Sequence, residues 1–407
     1  MMIRTVSGRR QWWIGGAAVV IVAAVLGVGN PGGGDHPPAV STPGGSSPSI
    51  SPPSVSPPSV SPSADCVAVT VAGLSLTEQV GQLLMVGIGV DAPSGLGDTV
   101  ARYHLGGVFL HGRSTRTAAR LRGDIDGLQR RAGLPLLISL DQEGGSVQTL
   151  KGPDFPLLPS ALRLGARPAA ELSDITQDSA RRLAGIGVTV NLAPVADTVP
   201  AGLGKGNPPI GAFNRQYGSD PTGVAADVRT VVTASQETGV LTVLKHFPGL
   251  GRVHANTDTS TNAVDPAAGV DDPYLEPFAG GMRAGSAGVM VSSATYPRLD
   301  QHNIAAFSQP IITGLLRDRL GFDGLIMSDD LGAGVAVGAV PVGDRAVRFV
   351  AAGGDLVLTI RPPDAAPMAG ALLAKAQREP AFAARVTDAA AHVVQAKKRA
   401  GLLRCDS

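Results

Sequence analysis

The stretch Val240-Leu241-Thr242-Val243-Leu244-Lys245-His246-Phe247-Pro248-Gly249-Leu250-Gly251 decides how this chain reads. Its first five residues are apolar or β-branched, the mark of a buried strand. The strand then breaks into Pro and Gly, which read as a loop. A cation and an imidazole therefore stand where a strand ends. Arg252-Val253-His254-Ala255-Asn256-Thr257-Asp258 follow on the loop and add hydrogen-bonding groups. Polar side chains at the end of a strand and on its loop are the arrangement of a parallel α/β active site. On its own, the stretch also fits an ordinary turn with a buried, satisfied Lys-His pair.

Outward from it, similar short apolar runs recur. Before it come Gln82 to Gly89, Gly107 to His111, Pro135 to Asp141 and Val188 to Ala193. The run Leu241 to His246 is the fifth, and Gly288 to Ser293, Leu325 to Asp329 and Asp355 to Ile360 follow. Amphipathic helical patterns separate most of them: Arg116 to Ala132, Ala169 to Gly185, Pro221 to Glu237, Pro310 to Leu320 and Val342 to Ala352. Ser75-Leu76-Thr77-Glu78 carries a cap and an acidic first turn, so a helix starts there. Phe382 to Leu403 is Ala-rich and reads as a closing helix. Nearly continuous apolar strands alternating with helices imply a parallel sheet covered on both faces. Eight units predict an α/β fold, a single (β/α)8 TIM barrel. An open doubly wound sheet is the alternative. No GxGxxG follows a first strand and no Walker loop occurs, so no nucleotide cofactor is expected.

The 407 residues are 43% apolar, enough for a large core, and the formal net charge is +1. Nothing in that balance points to nucleic acid. Arg4, Arg9 and Arg10 precede an uncharged apolar run from Trp12 to Gly29. Residues 1–29 thus read as a signal peptide or a retained signal-anchor helix, which implies export and, for the anchor, membrane attachment. Residues 30–65 are Pro/Ser/Gly-rich, with Ser51 to Ser63 reading SPPSVSPPSVSPS. Such a tract cannot bury enough apolar surface to fold and is expected to be a disordered linker. At about 3.1 Å per residue it would reach on the order of 100 Å. Residues 66–407 form the barrel domain. The only two cysteines, Cys66 and Cys405, bracket it. An exported protein keeps disulfides, so a bridge between them is expected.

Polar groups fall at the ends of the strand candidates: Asp141 to Gly145 after the third, Asn191 and Asp197 after the fourth, Lys245 and His246 after the fifth, and Ser328, Asp329 and Asp330 after the seventh. Carboxylates from different strands with a cation and imidazoles suit glycoside hydrolysis, which needs a carboxylate nucleophile and a proton donor. A metal-assisted hydrolase is the chemical alternative. No HxH or HExxH occurs, and no metal is expected. Carbohydrate is the expected partner. Oligomeric state stays open, with a monomer as the expectation.

These stretches together resemble the single-domain, NagZ-type β-N-acetylglucosaminidases (β-N-acetylhexosaminidases) of glycoside hydrolase family 3. The resemblance rests on Gly81-Gln82-Leu83-Leu84-Met85, Asp141-Gln142-Glu143-Gly144-Gly145, Asn191 to Asp197, Arg215-Gln216-Tyr217-Gly218, Lys245 to Gly249 and Ser328-Asp329-Asp330-Leu331. It implies a retaining exo-enzyme acting on cell-wall fragments. Asp329 matches the nucleophile, with Asp330 a structural neighbour. Asp141, Arg215, Lys245 and His246 match the residues that grip the terminal sugar. Two positions depart from the family. Thr149 stands where the family carries an Arg. Asn256-Thr257-Asp258 stands where it carries Asp-Ser/Thr-His, the His being its proton shuttle. Asp258 is then the candidate acid/base, with His254 as a rival. A family relative of altered sugar preference and a carbohydrate-binding scaffold without acid/base remain alternatives.

Overall fold

A computed structural model describes residues 65–403 of the chain. The expected leader and nearly all of the linker lie outside the described residues, as does Cys405. Among the described residues ten strands occur: β1 (Leu84–Gly89), β2 (Gly107–His111), β3 (Leu137–Leu140), β4 (Gln142–Gly144), β5 (Val147–Gln148), β6 (Val190–Asn191), β7 (Leu241–Phe247), β8 (Gly288–Val291), β9 (Leu325–Asp330) and β10 (Leu356–Thr359). All but β4 and β5 close a parallel barrel in the order β1-β10-β9-β8-β7-β6-β3-β2. The expected TIM barrel is the observed fold.

Its strands work because both faces are buried. Along β9, Leu325 and Met327 turn into the barrel while Ile326 packs outward on the helices. Leu137 on β3 and Leu241 and Val243 on β7 fill the same interior, together with Met85, Phe109, Met290 and Leu358. Outward residues such as Ile138, Leu244 and Val289 share one cluster with Leu172, Val228, Phe278 and Phe349 of the surrounding helices. Each such buried side chain contributes roughly 1.5–3 kcal/mol. Gly107 has no alternative at its place, since a Cβ there would lie 2.6 Å from the Met85 methyl and 2.8 Å from the Leu137 carbonyl.

Several expected boundaries move. Gln82 and Leu83 do not open the first strand. Gln82 ends the helix Leu76–Gln82, whose start carries the reciprocal cap between Ser75 and Glu78. The fourth strand shrinks from the expected 188–193 to Val190–Asn191. The Val188 N–H is drawn to the Leu183 carbonyl at the end of the preceding helix, and Pro194 has no N–H to give a ladder. The closing helix runs Pro380–Arg399 rather than from Phe382 to Leu403. The hairpin β4–β5 and the helix Ala365–Arg378 are additional.

The closing helix plugs the barrel. Val393 and Ala396 join the interior cluster. Lys397 is fully buried beside them and donates to Gln82 Oε1, just before β1. Burial pushes its amine down to about 7. Between pH 7 and the ordinary lysine value the unfolded chain therefore holds a proton that the folded chain lacks, so stability rises with pH across that window. Replacing the amine by an apolar group removes this slope. Lys397→Met is expected to melt higher than the parent at pH 7, with the gap closing toward pH 10, as read by thermal unfolding at a series of pH values.

Candidate active site

The C-terminal mouth of the barrel holds a pocket of about 320 Å³, at the small end of ligand sites. Asp141, Arg215, Lys245, His246, Asn256, Thr257, Asp258, Asp329 and Asp330 line it, over an apolar floor that includes Phe109, Met290 and Leu358. Simple strand periodicity accounts for three of these. Asp141 continues the inward series Leu137, Ser139. Lys245 continues Leu241, Val243, and Asp329 continues Leu325, Met327. The strand's period of two carries each series from apolar filling to a polar lip.

His246 and Asp330 should then face outward, yet both line the pocket. In each case the register slips. Lys245 pairs with Met290 but Phe247 pairs with Val291, so β7 carries one residue more than β8 there. Met327 pairs with Leu356 but Asp330 with Leu358, an extra residue in β9 against β10. Such bulges re-aim side chains at sites of this kind. Side chains make up for the disturbed ladder. Ser328 Oγ accepts the Leu358 N–H at 2.9 Å, and Asp330 accepts the N–H groups of Gly332, Ala333 and Ile360, each at 2.9 Å.

The cations of the mouth are tied to carboxylates. Lys245 Nζ lies 2.6 Å from Asp141 Oδ1 and 2.6 Å from Glu143 Oε1. Arg215 donates through Nε and Nη2 to both Glu143 oxygens, at 2.9 and 2.8 Å, and through Nη1 to the Pro209 carbonyl at 2.9 Å. Burial alone would push the Glu143 carboxyl up, but Arg215 and Lys245 together hold it at about 2. His246 Nδ1 sits 2.7 Å from Asp197 Oδ2. Asp197 is fully buried and also accepts the His246 and Leu250 backbone N–H groups.

Among the described residues, Asp258, Asp329 and Asp330 have no cation in ion-pair contact. Burial raises the Asp258 carboxyl above its ordinary range, and the charge of Asp329 raises it further, against smaller opposing effects of His246 and Arg215. Burial also raises Asp330, although its three backbone donors work the other way. Asp329 Oδ1 accepts the Asp330 N–H at 2.8 Å.

The loop that carries Asp258 is held at many points. Tyr296 donates to the Gly249 carbonyl at 2.9 Å. Asn207 Nδ2 donates to the Leu250 and Val253 carbonyls at 2.8 and 2.9 Å. Arg252 binds Asp265 and Asp272 and stacks on Tyr274. Asn256 Oδ1 accepts the Asp258 N–H at 3.0 Å, so it shapes the turn rather than touching the Asp258 carboxyl. The loop after β9 completes the support. Val335 N donates to the Asp258 carbonyl at 3.3 Å, and Ala336 N to that of Thr257 at 3.1 Å.

Thus the structure brings together Asp141, Arg215, Lys245, His246, Asp258 and Asp329. It leaves out His254, which is not among the lining residues, whereas Asp258, likewise solvent-accessible, is. Thr149 is buried and serves the backbone, its N–H going to the Asp141 carbonyl at 2.9 Å, so no cation enters the pocket from that position. Sequence reasoning missed Glu143 as a functional residue and left Asp197 without a role. Among the described residues no cluster of three or more His, Cys, Asp or Glu is arranged to hold a metal ion.

The family profile described as "Glycosyl hydrolase family 3 N terminal domain" matches residues 75–396. The chain belongs to this family. Family 3 relatives include a β-hexosaminidase of Xanthomonas oryzae pv. oryzae, 32% identical over 297 residues, covering 69% of this chain and 84% of the relative. The β-hexosaminidase LpqI of Mycobacterium tuberculosis is 32% identical over 300 residues, covering 70% of this chain and 74% of its own. Among solved structures, the β-N-acetylhexosaminidase of Beutenbergia cavernae aligns with a TM-score of 0.77 and 43% identity, over 80% of this chain and 99% of that one.

In this family 3 chain Asp197 is the common acceptor for one ring and two backbone donors. Asp197→Ala would strand all three in a buried place, where each unmet donor costs about 1–3 kcal/mol. A loss of at least about 3 kcal/mol is expected in urea unfolding, well beyond the effect of Asp258→Ala on the rim.

Proposed function

We propose that this family 3 chain is a retaining exo-β-N-acetylhexosaminidase that removes terminal N-acetylglucosamine from cell-wall (peptidoglycan) fragments, with Asp329 as nucleophile and Asp258 as acid/base. The activity is supported by the named activities of the relatives. The roles rest on one observation above the others: Asp258 and Asp329 line one small pocket from separate segments. Asp258 is pushed toward the protonated form by burial and by Asp329. A carboxyl raised in this way can serve as the proton donor beside a carboxylate nucleophile.

The steps follow. The sugar binds with its hydroxyls accepting from Lys245 and Arg215 and donating to Asp141. The Asp329 carboxylate attacks the anomeric carbon as the glycosidic C–O bond breaks. Asp258 gives its proton to the leaving oxygen. Water then attacks the glycosyl-Asp329 ester, Asp258 takes the water proton, and the sugar leaves with Asp329 restored. Asp330 keeps the β9 bulge in shape. The Asx turn of Asn256 holds Asp258 by its backbone and leaves the carboxyl free. A family relative of changed sugar preference and a scaffold that binds without turnover are separable outcomes of the same assay.

Export and retention outside the cytoplasm, by cleaved signal or membrane anchor, are supported by the basic-then-apolar start and the Pro/Ser tract. The Cys66–Cys405 bridge is supported by the packing of the helix Cys66–Ala72 against Pro380–Arg399, which brings the two ends of the domain together.

With a para-nitrophenyl N-acetylglucosaminide, Asp329→Ala is expected to lose at least about a thousandfold in kcat, and full activity in it would sink the mechanism. General acid–base work contributes about 10²–10⁴-fold, so Asp258→Ala is expected to fall within that range for poor leaving groups. It would also lose the alkaline limb of the pH–rate profile and recover with azide. His254→Ala is expected to behave as the parent. Thiol labelling of the exported chain, without and with reductant, checks the bridge: no label is expected before reduction and two sites after it.

A further inference from the structure

We propose that Glu143 is a positioning residue that aims Arg215 and Lys245 at the sugar. This rests on the reading above that those two cations grip the substrate. Glu143 does not touch the pocket: its side chain is 3% exposed and it is not among the lining residues. It comes from the β4–β5 hairpin, Arg215 from the loop after β6, and Lys245 from β7. One carboxylate therefore joins three separate segments.

Counting donors shows what it does. Lys245 has three N–H groups, and Asp141 and Glu143 engage two, at 2.6 Å each. Arg215 has five. Its Nε and one Nη2 hydrogen go to Glu143 and one Nη1 hydrogen to Pro209, while Nη2 also approaches His246 Nε2 at 3.5 Å. Among the described residues this leaves one Lys245 N–H and one Arg215 Nη1 N–H for a ligand. Without the bidentate hold on Arg215, the guanidinium would rotate about a flexible stem. Without the bridge at Oε1, buried Lys245 and largely buried Arg215 would share Asp141 as their remaining carboxylate at the mouth. Charge-assisted bonds of this kind are about twice as strong as neutral ones and set direction as well as affinity.

Glu143→Gln keeps the shape and removes the charge. Whichever way the amide turns, an NH2 group meets a cation's N–H. Glu143→Asp keeps the charge and shortens the reach. With the full-length chain and the para-nitrophenyl N-acetylglucosaminide, both variants are expected to raise KM by about tenfold or more, as lost charge-assisted bonds do. The pH profile separates them. Arg215 already lowers the Asp258 carboxyl, and with Glu143 neutral that pull is no longer offset. The alkaline limb of kcat/KM should move to lower pH in Glu143→Gln and stay at its parental place in Glu143→Asp. A merely structural role would leave the limb of a folded variant unmoved. Parental KM and parental limb in a folded Glu143→Gln would overturn the proposal. If that variant does not fold, parental KM in Glu143→Asp would do so. A parent with no turnover would count against the proposed activity instead. Glu143 would then be judged by N-acetylglucosamine affinity in calorimetry, where equal binding by parent and variants would overturn its role.

Discussion

A buried lysine and a largely buried arginine sit at the mouth of this barrel, and the site depends on how their charge is met. Lys245 and Arg215 would be costly to bury alone. Asp141 and Glu143 neutralise them through short, directed bonds. That balance uses up the positive charge of the mouth. Asp258, Asp329 and Asp330 then share one small space without a cation of their own. Asp330 is steadied by three backbone N–H groups. Burial and the charge of Asp329 push the Asp258 carboxyl toward its protonated form. The proposed sugar grip and the proposed proton shuttle would then be two halves of one electrostatic arrangement.

The barrel was legible because strands buried on both faces leave a plain signature. Eight apolar runs stood at helix-length spacing, and each matches an observed strand to within two residues at either end. Asp141, Lys245 and Asp329 were legible as well, since each continues the inward-facing, every-second-residue series of its strand. His246 and Asp330 were found by adjacency and resemblance rather than by periodicity, because the bulges that turn them inward depend on partner strands. The two-residue β6 was hidden for a similar reason: the length of that strand is set by a helix end and a proline.

Glu143 and Asp197 were harder to see. Neither lies on the pocket wall, and both act on groups distant in sequence, 49 residues from Asp197 to His246 and 72 from Glu143 to Arg215. A motif such as DQEGG shows that its acids matter, not which one meets the substrate and which one holds the residue that does. The histidine on the long loop illustrates the converse. His254 looked chemically apt in the sequence, and the fold leaves it off the pocket wall that Asp258 joins.

The pairing of Val335 and Ala336 with Asp258 and Thr257 has an evolutionary consequence. The candidate proton donor and the candidate nucleophile sit on segments knitted by backbone hydrogen bonds, so a side chain can change identity there without breaking the seam. The lengths of the two segments cannot change separately. A residue inserted between Gly251 and Asn256 would displace the carbonyls that the turn after β9 is built to meet, and would need a matching insertion after Asp330. Within such relatives, the chemistry at position 258 is free to drift, while the spacing of the two loops should drift only together.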